Sequence, residues 1–286
     1  MSKRNRITNQ AVIEKRLREG RGQGHFSEYK PWLTIHDFPS QGVVTRIKGW
    51  KSGRLHHYFS EHYELAHHYQ MEWAEKCCDI REQFPLLPLE KTLYIAEKLG
   101  VKHPIDPKTK HPIVMTTDML LTLKHEDDIK FVAHSIKPSS KLNRRVLEKL
   151  EIEKSFFTDV NISWSLITEH QINYELVKNV EWLHSAKFLD GQITINQILE
   201  VEEIVFQTIQ KRDKPLAKAT LELDYRLGFK QGICMFIVRY LIANQYWNVD
   251  MKMRIEPLLK PLIVTRNNFQ GRTLNEFVCK QSFGSS

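Results

Sequence analysis

The sequence predicts an α/β core, a central sheet flanked by helices, followed by a mostly helical second domain. Two observations carry this expectation. An alternating stretch at 78–84 and strand candidates at 113–123, 129–137 and 162–167 have strand length, and helical patterns at 61–75, 89–99 and 143–158 are interleaved among them. From about residue 169 the texture changes to helical segments separated by short polar breaks.

Taken in order, residues 8–20 read as a short basic helix closed by Gly20, with a glycine-rich loop behind it. That loop, Arg21-Gly22-Gln23-Gly24-His25, lacks the spacing of a phosphate-binding P-loop and offers no nucleotide site. Residues 43–47 and 53–58 are short strands around a Lys51-Ser52-Gly53 turn. Ser60 caps the helix over 61–75, with Glu61 in its first turn, where negative charge suits the macrodipole. Leu65, Tyr69 and Trp73 give that helix a core-facing side, and it carries Glu64. The strand at 78–84 stops at Pro85-Leu86-Leu87-Pro88, and the helix over 89–99 is closed by Gly100. After a loop, strands at 113–123 and 129–137 flank a turn at Glu126-Asp127-Asp128; Asn143 then caps a helix to about 158. The strand at 162–167 completes the first domain, 1–168, which includes a basic N-terminal arm, 1–60.

The second domain, 169–286, is expected to hold helices at 173–186, 194–210, 215–225 and 230–245 and short strands at 247–253 and 262–265. Three helices followed by a small hairpin describe a winged helix. Such modules bind DNA or proteins, and composition does not choose between them.

Composition narrows the class. The chain has 286 residues, 41% hydrophobic and 27% charged, as in globular proteins that fold in water. It has no apolar run long enough to span a bilayer, and its opening residues do not resemble a signal segment, so a cytoplasmic protein without membrane contact is expected. Cysteines at 77, 78, 234 and 279 lack zinc or redox spacing and read as reduced thiols. The pairs His56-His57 and His67-His68 lack the partner ligands of a structural zinc site. The net charge of +8 lies entirely in the first 60 residues, which hold twelve Lys/Arg and four Asp/Glu. A basic segment on a neutral body fits a polyanion such as nucleic acid, and equally a solvated tail.

One set of residues carries chemistry: Glu64, Asp118, and Lys137 in the run His134-Ser135-Ile136-Lys137-Pro138. Two carboxylates can hold a divalent metal, and a lysine beside them can orient an attacking water and offset charge on a phosphate. Spacing of this kind arises often by chance. Taken singly, Glu64 reads as a solvated helix acid, Asp118 as a turn acid and Lys137 as a surface lysine. Asp118 stands out because its strand is otherwise apolar, where a carboxylate is costly unless a positive charge meets it.

Further along, Gly20-Arg21-Gly22-Gln23-Gly24-His25 and Tyr29-Lys30-Pro31-Trp32-Leu33-Thr34 resemble the N-terminal segment of the TnsA family, the endonuclease subunits of heteromeric Tns-type transposases. The likeness continues through Arg54-Leu55-His56-His57, Glu64-Leu65-Ala66, the block from Asp79 to Pro88, Thr117-Asp118, Ile136-Lys137-Pro138, the run from Leu147 to Glu153, and Asn179-Val180-Glu181-Trp182-Leu183. It covers residues 20 to about 185 and fades beyond. The resemblance implies a restriction-endonuclease-like mixed sheet flanked by helices, with a winged-helix-like C-terminal domain. It implies hydrolytic cutting of the 5′ ends of a transposon while a TnsB-type transposase processes the 3′ ends. A TnsC-type AAA+ regulator would be met by the C-terminal domain. Matched by motif, Glu64 and Asp118 fall on the family's metal-binding acids, Lys137 on its catalytic lysine and Glu153 on a further acid linked to activity. The Ile136 carbonyl is a further metal ligand by the same likeness, with Mg²⁺ as the ion and Mn²⁺ as its substitute. One departure is visible: Ser135 stands where relatives carry Gln, and a hydroxyl is a poorer ligand, so altered metal binding with retained cutting is expected. The alternatives are a scaffold subunit, with weak or no catalysis, that docks DNA and the AAA+ regulator, and a stand-alone nuclease of the same fold.

Overall fold

The computed structural model describes residues 7–37, 45–125, 128–189 and 191–267. Contacts divide the chain into two compact units that meet in sequence between Ile172 and Asn173. The expected strand start at 43–44 and the Glu126-Asp127 turn lie outside the described residues.

The first unit opens with α1 (Gln10–Arg18), whose N-terminus is closed by the Asn9 side chain accepting from Val12 N at 2.9 Å. Its one buried side chain, Ile13, packs with Trp32 and Val114. A two-stranded hairpin follows, β1 (Thr45–Lys48) antiparallel to β2 (Leu55–Tyr58). Gly49 opens its turn, where any Cβ would stand 2.5 Å from His56 Nε2 and 2.7 Å from Ser52 Oγ. The expected helix over 61–75 is two things: a π-helical turn, Glu61–Leu65, continuing into α2 (Ala66–Trp73).

The central sheet has four strands in the order β3 (Cys77–Pro85), β4 (Thr116–His125), β5 (Asp128–Ile136), β6 (Ser163–Ile167). The first two pairings are antiparallel and the last is parallel, so the sheet is mixed. Parallel pairing requires a long crossover, and α4 (Arg144–Asp159), capped by Asn143 accepting from Val146 N at 3.0 Å, supplies it. Together α4 and α3 (Leu89–Lys98) cover one face of the sheet through Ile95, Ala96, Ile152, Phe156 and Phe157 against Leu120 and Ala133. Residues alternate between faces along a strand, so His134, next to Ala133, points to the opposite side and meets His67 of α2. Helices on both faces explain why β4 reads as a nearly continuous apolar run.

The second unit contains α5 (Tyr174–Leu183), α6 (Ile195–Gln210), α7 (Leu216–Leu227) and α8 (Ile233–Ala243), with a two-residue ladder between β7 (Trp247–Asn248) and β8 (Thr265–Arg266). Its centre is α8, where Ile233, Cys234, Ile237, Val238, Leu241 and Ile242 are buried. Asp224 of α7 accepts from Gly232 N and Cys234 N at 2.7 and 2.8 Å, which satisfies the open N-terminus of α8. No described helix is long and apolar enough to cross a membrane. Among the described cysteines, Cys77 and Cys234 are buried thiols and Cys78 is a partly exposed thiol.

Candidate active site

Asp118 lies near the start of β4, one step beyond the Met119–His134 pair, and is 8% exposed. Its Oδ2 accepts from Ile136 N at 2.6 Å and from Lys137 Nζ at 2.6 Å. The same ammonium donates to the Ile136 carbonyl at 3.0 Å. The charge of a carboxylate in an apolar strand is therefore met by a lysine and a backbone amide from the end of β5. Burial by itself would lower the Lys137 ammonium, but Asp118, Glu64 and Glu153 together raise it, so it carries its proton at neutral pH.

Glu64 reaches this place from the π-helical turn. Its Oε2 accepts from Phe59 N at 3.0 Å. Burial first, and then the charge of Asp118, push its carboxyl up to about 8, which places the two acids within range of each other's field. Glu153 comes from α4 and is buried, held by the Ser135 hydroxyl and by Trp164 Nε1, which donates to the same oxygen at 3.0 Å. Burial and the charge of Asp118 raise its carboxyl while these donors oppose the shift. The structure thus brings Glu64, Asp118, Ile136, Lys137 and Glu153 to one end of the sheet.

The donor set fits a hard divalent cation. Glu64 and Asp118 offer carboxylate oxygens and Ile136 a carbonyl oxygen, the ligand types magnesium takes. Two of those three already share one positive group, the Lys137 ammonium, which marks the point between them as a place where cationic charge is favoured.

Comparison with known proteins identifies the family. Residues 74–169 match the family model described as TnsA-like endonuclease N terminal, and residues 171–251 the model TnsA endonuclease C terminal. The chain is 35% identical over 247 residues to the transposon Tn7 transposition protein TnsA of Escherichia coli, covering 86% of this chain and 88% of that protein. The chain belongs to the TnsA endonuclease family. Membership makes it a transposase endonuclease subunit, a hydrolase, and its mixed sheet flanked by helices is the restriction-endonuclease-like core of that family.

Within this TnsA-family core, three features escape a reading by residue type. Ser135 spends its hydroxyl on Glu153, a partner eighteen residues away. Gln83 takes a left-handed backbone, φ 50°, between the Glu82–Met119 and Phe84–Thr117 pairs, across from the position of Asp118. A non-glycine residue in that region is a local strain beside a candidate site. The third is Glu82, fully buried in β3, which gathers Arg54, His56 and the amide of His57. Burial of Asp79 through Gln83 on both faces of β3 erases the alternation that could have singled out Glu82.

Proposed function

We propose that this TnsA-family chain is the metal-dependent endonuclease of a cut-and-paste transposase complex, hydrolysing the 5′ ends of the transposon while a TnsB-type partner processes the 3′ ends and a TnsC-type AAA+ protein regulates both. The observation that carries the reading is the shared ammonium of Lys137, which joins the Asp118 carboxylate and the Ile136 carbonyl, with Glu64 near enough for its charge to act on that ammonium. Mg²⁺, with Mn²⁺ as a substitute, would be held by Glu64, Asp118 and the Ile136 carbonyl. When bound, it supplies a Lewis acid for the scissile phosphate and lowers the pKa of an attacking water.

The chain's own residues divide the remaining work. Lys137 is protonated and cannot take a proton in this state; it supplies positive charge to the phosphate oxygens as they gain negative charge. Asp118 keeps that ammonium in place at 2.6 Å. Glu153, tied to Ser135 and Trp164, adds to the field that keeps Lys137 charged. The basic α1 surface supports contact with the DNA backbone.

The test is end cleavage with the partner proteins present. Asp118→Ala and Lys137→Ala are each expected to reduce 5′-strand nicking by at least about 100-fold with the fold retained by circular dichroism. Unchanged nicking in either variant rejects the catalytic assignment. Isothermal titration with Mn²⁺ separates the scaffold alternative, which requires no binding that depends on Asp118.

A further inference from the structure

Glu64 stands in a turn of unusual shape. Leu65 N donates to Ser60 O at 3.0 Å, a bond to the fifth residue back that widens Glu61–Leu65 into π geometry before α2 begins. Such turns are rare and concentrate at functional sites. A turn that is not the backbone's own preference has to be held by its surroundings.

The surroundings here are polar, buried and continuous. Tyr58, the last residue of β2, lies six residues before Glu64, and His68 lies four after it; the Tyr58 hydroxyl meets His68 Nδ1 at 2.7 Å. This bond closes the chain across the π turn, and its two members are 1% and 0% exposed. His68 Nε2 lies 3.3 Å from Glu72 Oε1 of the same helix, at ion-pair distance. The other oxygen of Glu72 accepts from Lys51 N at 3.1 Å, in the hairpin turn. On the hairpin side, His56 Nδ1 meets Glu82 Oε2 at 2.8 Å, its Nε2 meets Ser52 Oγ at 2.7 Å, and Arg54 forks onto both oxygens of Glu82. The Tyr58 hydroxyl stands 3.3 Å from His56 Nδ1 and joins the two halves. Hairpin, β3 and α2 are thereby linked through buried polar side chains.

We propose that the Tyr58–His68 hydrogen bond, seated on the Glu82–Arg54–His56 cluster, is the positioning device of Glu64: it fixes the π turn so that the Glu64 carboxylate is presented to the divalent cation alongside Asp118. The proposal rests on the reading of Glu64 and Asp118 as cation ligands. Tyr58 and His68 act through Glu64 and are positioning residues.

The experiment is isothermal titration of the full chain with Mn²⁺, paired with thermal unfolding of the metal-free protein. Tyr58→Phe keeps the ring and removes the hydroxyl. His68→Leu removes Nδ1, and His68→Asn restores a polar atom near its place. Ile95→Val, a small loss in the core on α3, serves as a destabilised control. Tyr58→Phe and His68→Leu are expected to weaken Mn²⁺ binding roughly 10- to 100-fold, the range found when partners behind metal ligands are removed. His68→Asn is expected to recover most of that loss, and Ile95→Val to bind as wild type does at comparable loss of thermal stability. Wild-type affinity in Tyr58→Phe, or an equal loss in Ile95→Val, overturns the positioning role alone. Wild-type protein that binds Mn²⁺ no better than Asp118→Ala overturns the site reading, and the positioning role falls with it.

Discussion

The Ser135 hydroxyl and Trp164 Nε1 both donate to Glu153 Oε1, so a buried carboxylate on α4 rests on a residue of β5 and one of β6. At the position two before Lys137, serine turns its single donor to Glu153. The Asp118–Lys137–Ile136 cluster is held without it. Removing the hydroxyl leaves Glu153 with one fewer donor in a buried setting, and such a loss costs about 1–3 kcal/mol. Ser135→Ala is expected to lose stability in that range by urea unfolding. An unchanged midpoint would mean that Glu153 is supported by other groups.

At the scale of elements, the Glu82 cluster ties the β1–β2 hairpin to β3. Burial acts to raise the Glu82 carboxyl, but the charges of His56 and Arg54 and their hydrogen bonds outweigh it and hold the group far below the usual carboxylate range. The unfolded chain titrates near about 4.3, so below that pH the unfolded state binds a proton that the folded state refuses. The stabilisation is thus complete above about pH 5 and is lost as pH falls through the acid range. Glu82→Gln leaves the Arg54 guanidinium, 8% exposed, without its counter-charge, at a cost of about 3–5 kcal/mol near neutrality. Thermal unfolding from pH 7 to 3 is expected to show the wild-type and Glu82→Gln curves converging as pH falls; parallel curves would remove Glu82 from the acid sensitivity. This scale also shows what the sequence could express. Strands and helices were legible because apolar spacing reports which side of an element is covered, and Asp118 was legible as a charge in an apolar run. The π turn read as the start of an ordinary helix because its shape comes from Tyr58 and His68 closing around it, a tertiary demand that leaves no periodic trace. His56 and His68 read as lacking metal partners, whereas their polar partners lie on a strand and a tyrosine that only the fold brings near.

Over the whole molecule, the charge is concentrated at one end of the sequence: the first 60 residues carry the net +8 and the remaining residues balance. The structure shows that part of this basic segment is an integral piece of the first unit. Ile13 is 5% exposed and packs with Trp32 and Val114, Thr8 N donates to Asp106 at 2.7 Å, and Arg16 meets Asp37 at 3.4 Å while lying over the Trp32 ring. Deleting residues 1–19 would strip packing from the core along with charge, so a loss of DNA binding after deletion would not identify its cause. Substitution on the exposed side of α1 separates the two. Lys15 has a side chain 71% exposed, and Arg18 is exposed on the same helix, bordering a groove with Arg21 and Lys30. If these residues neutralise phosphates, each releases close to one counterion, and log K falls with log salt by about 0.9 per contact. Lys15→Gln with Arg18→Gln is expected to weaken binding to a duplex at low salt and to reduce the salt slope by about 2, with circular dichroism and thermal unfolding unchanged. An unaltered slope would assign the charge of α1 to solvent and move the DNA contact to other surfaces of the chain.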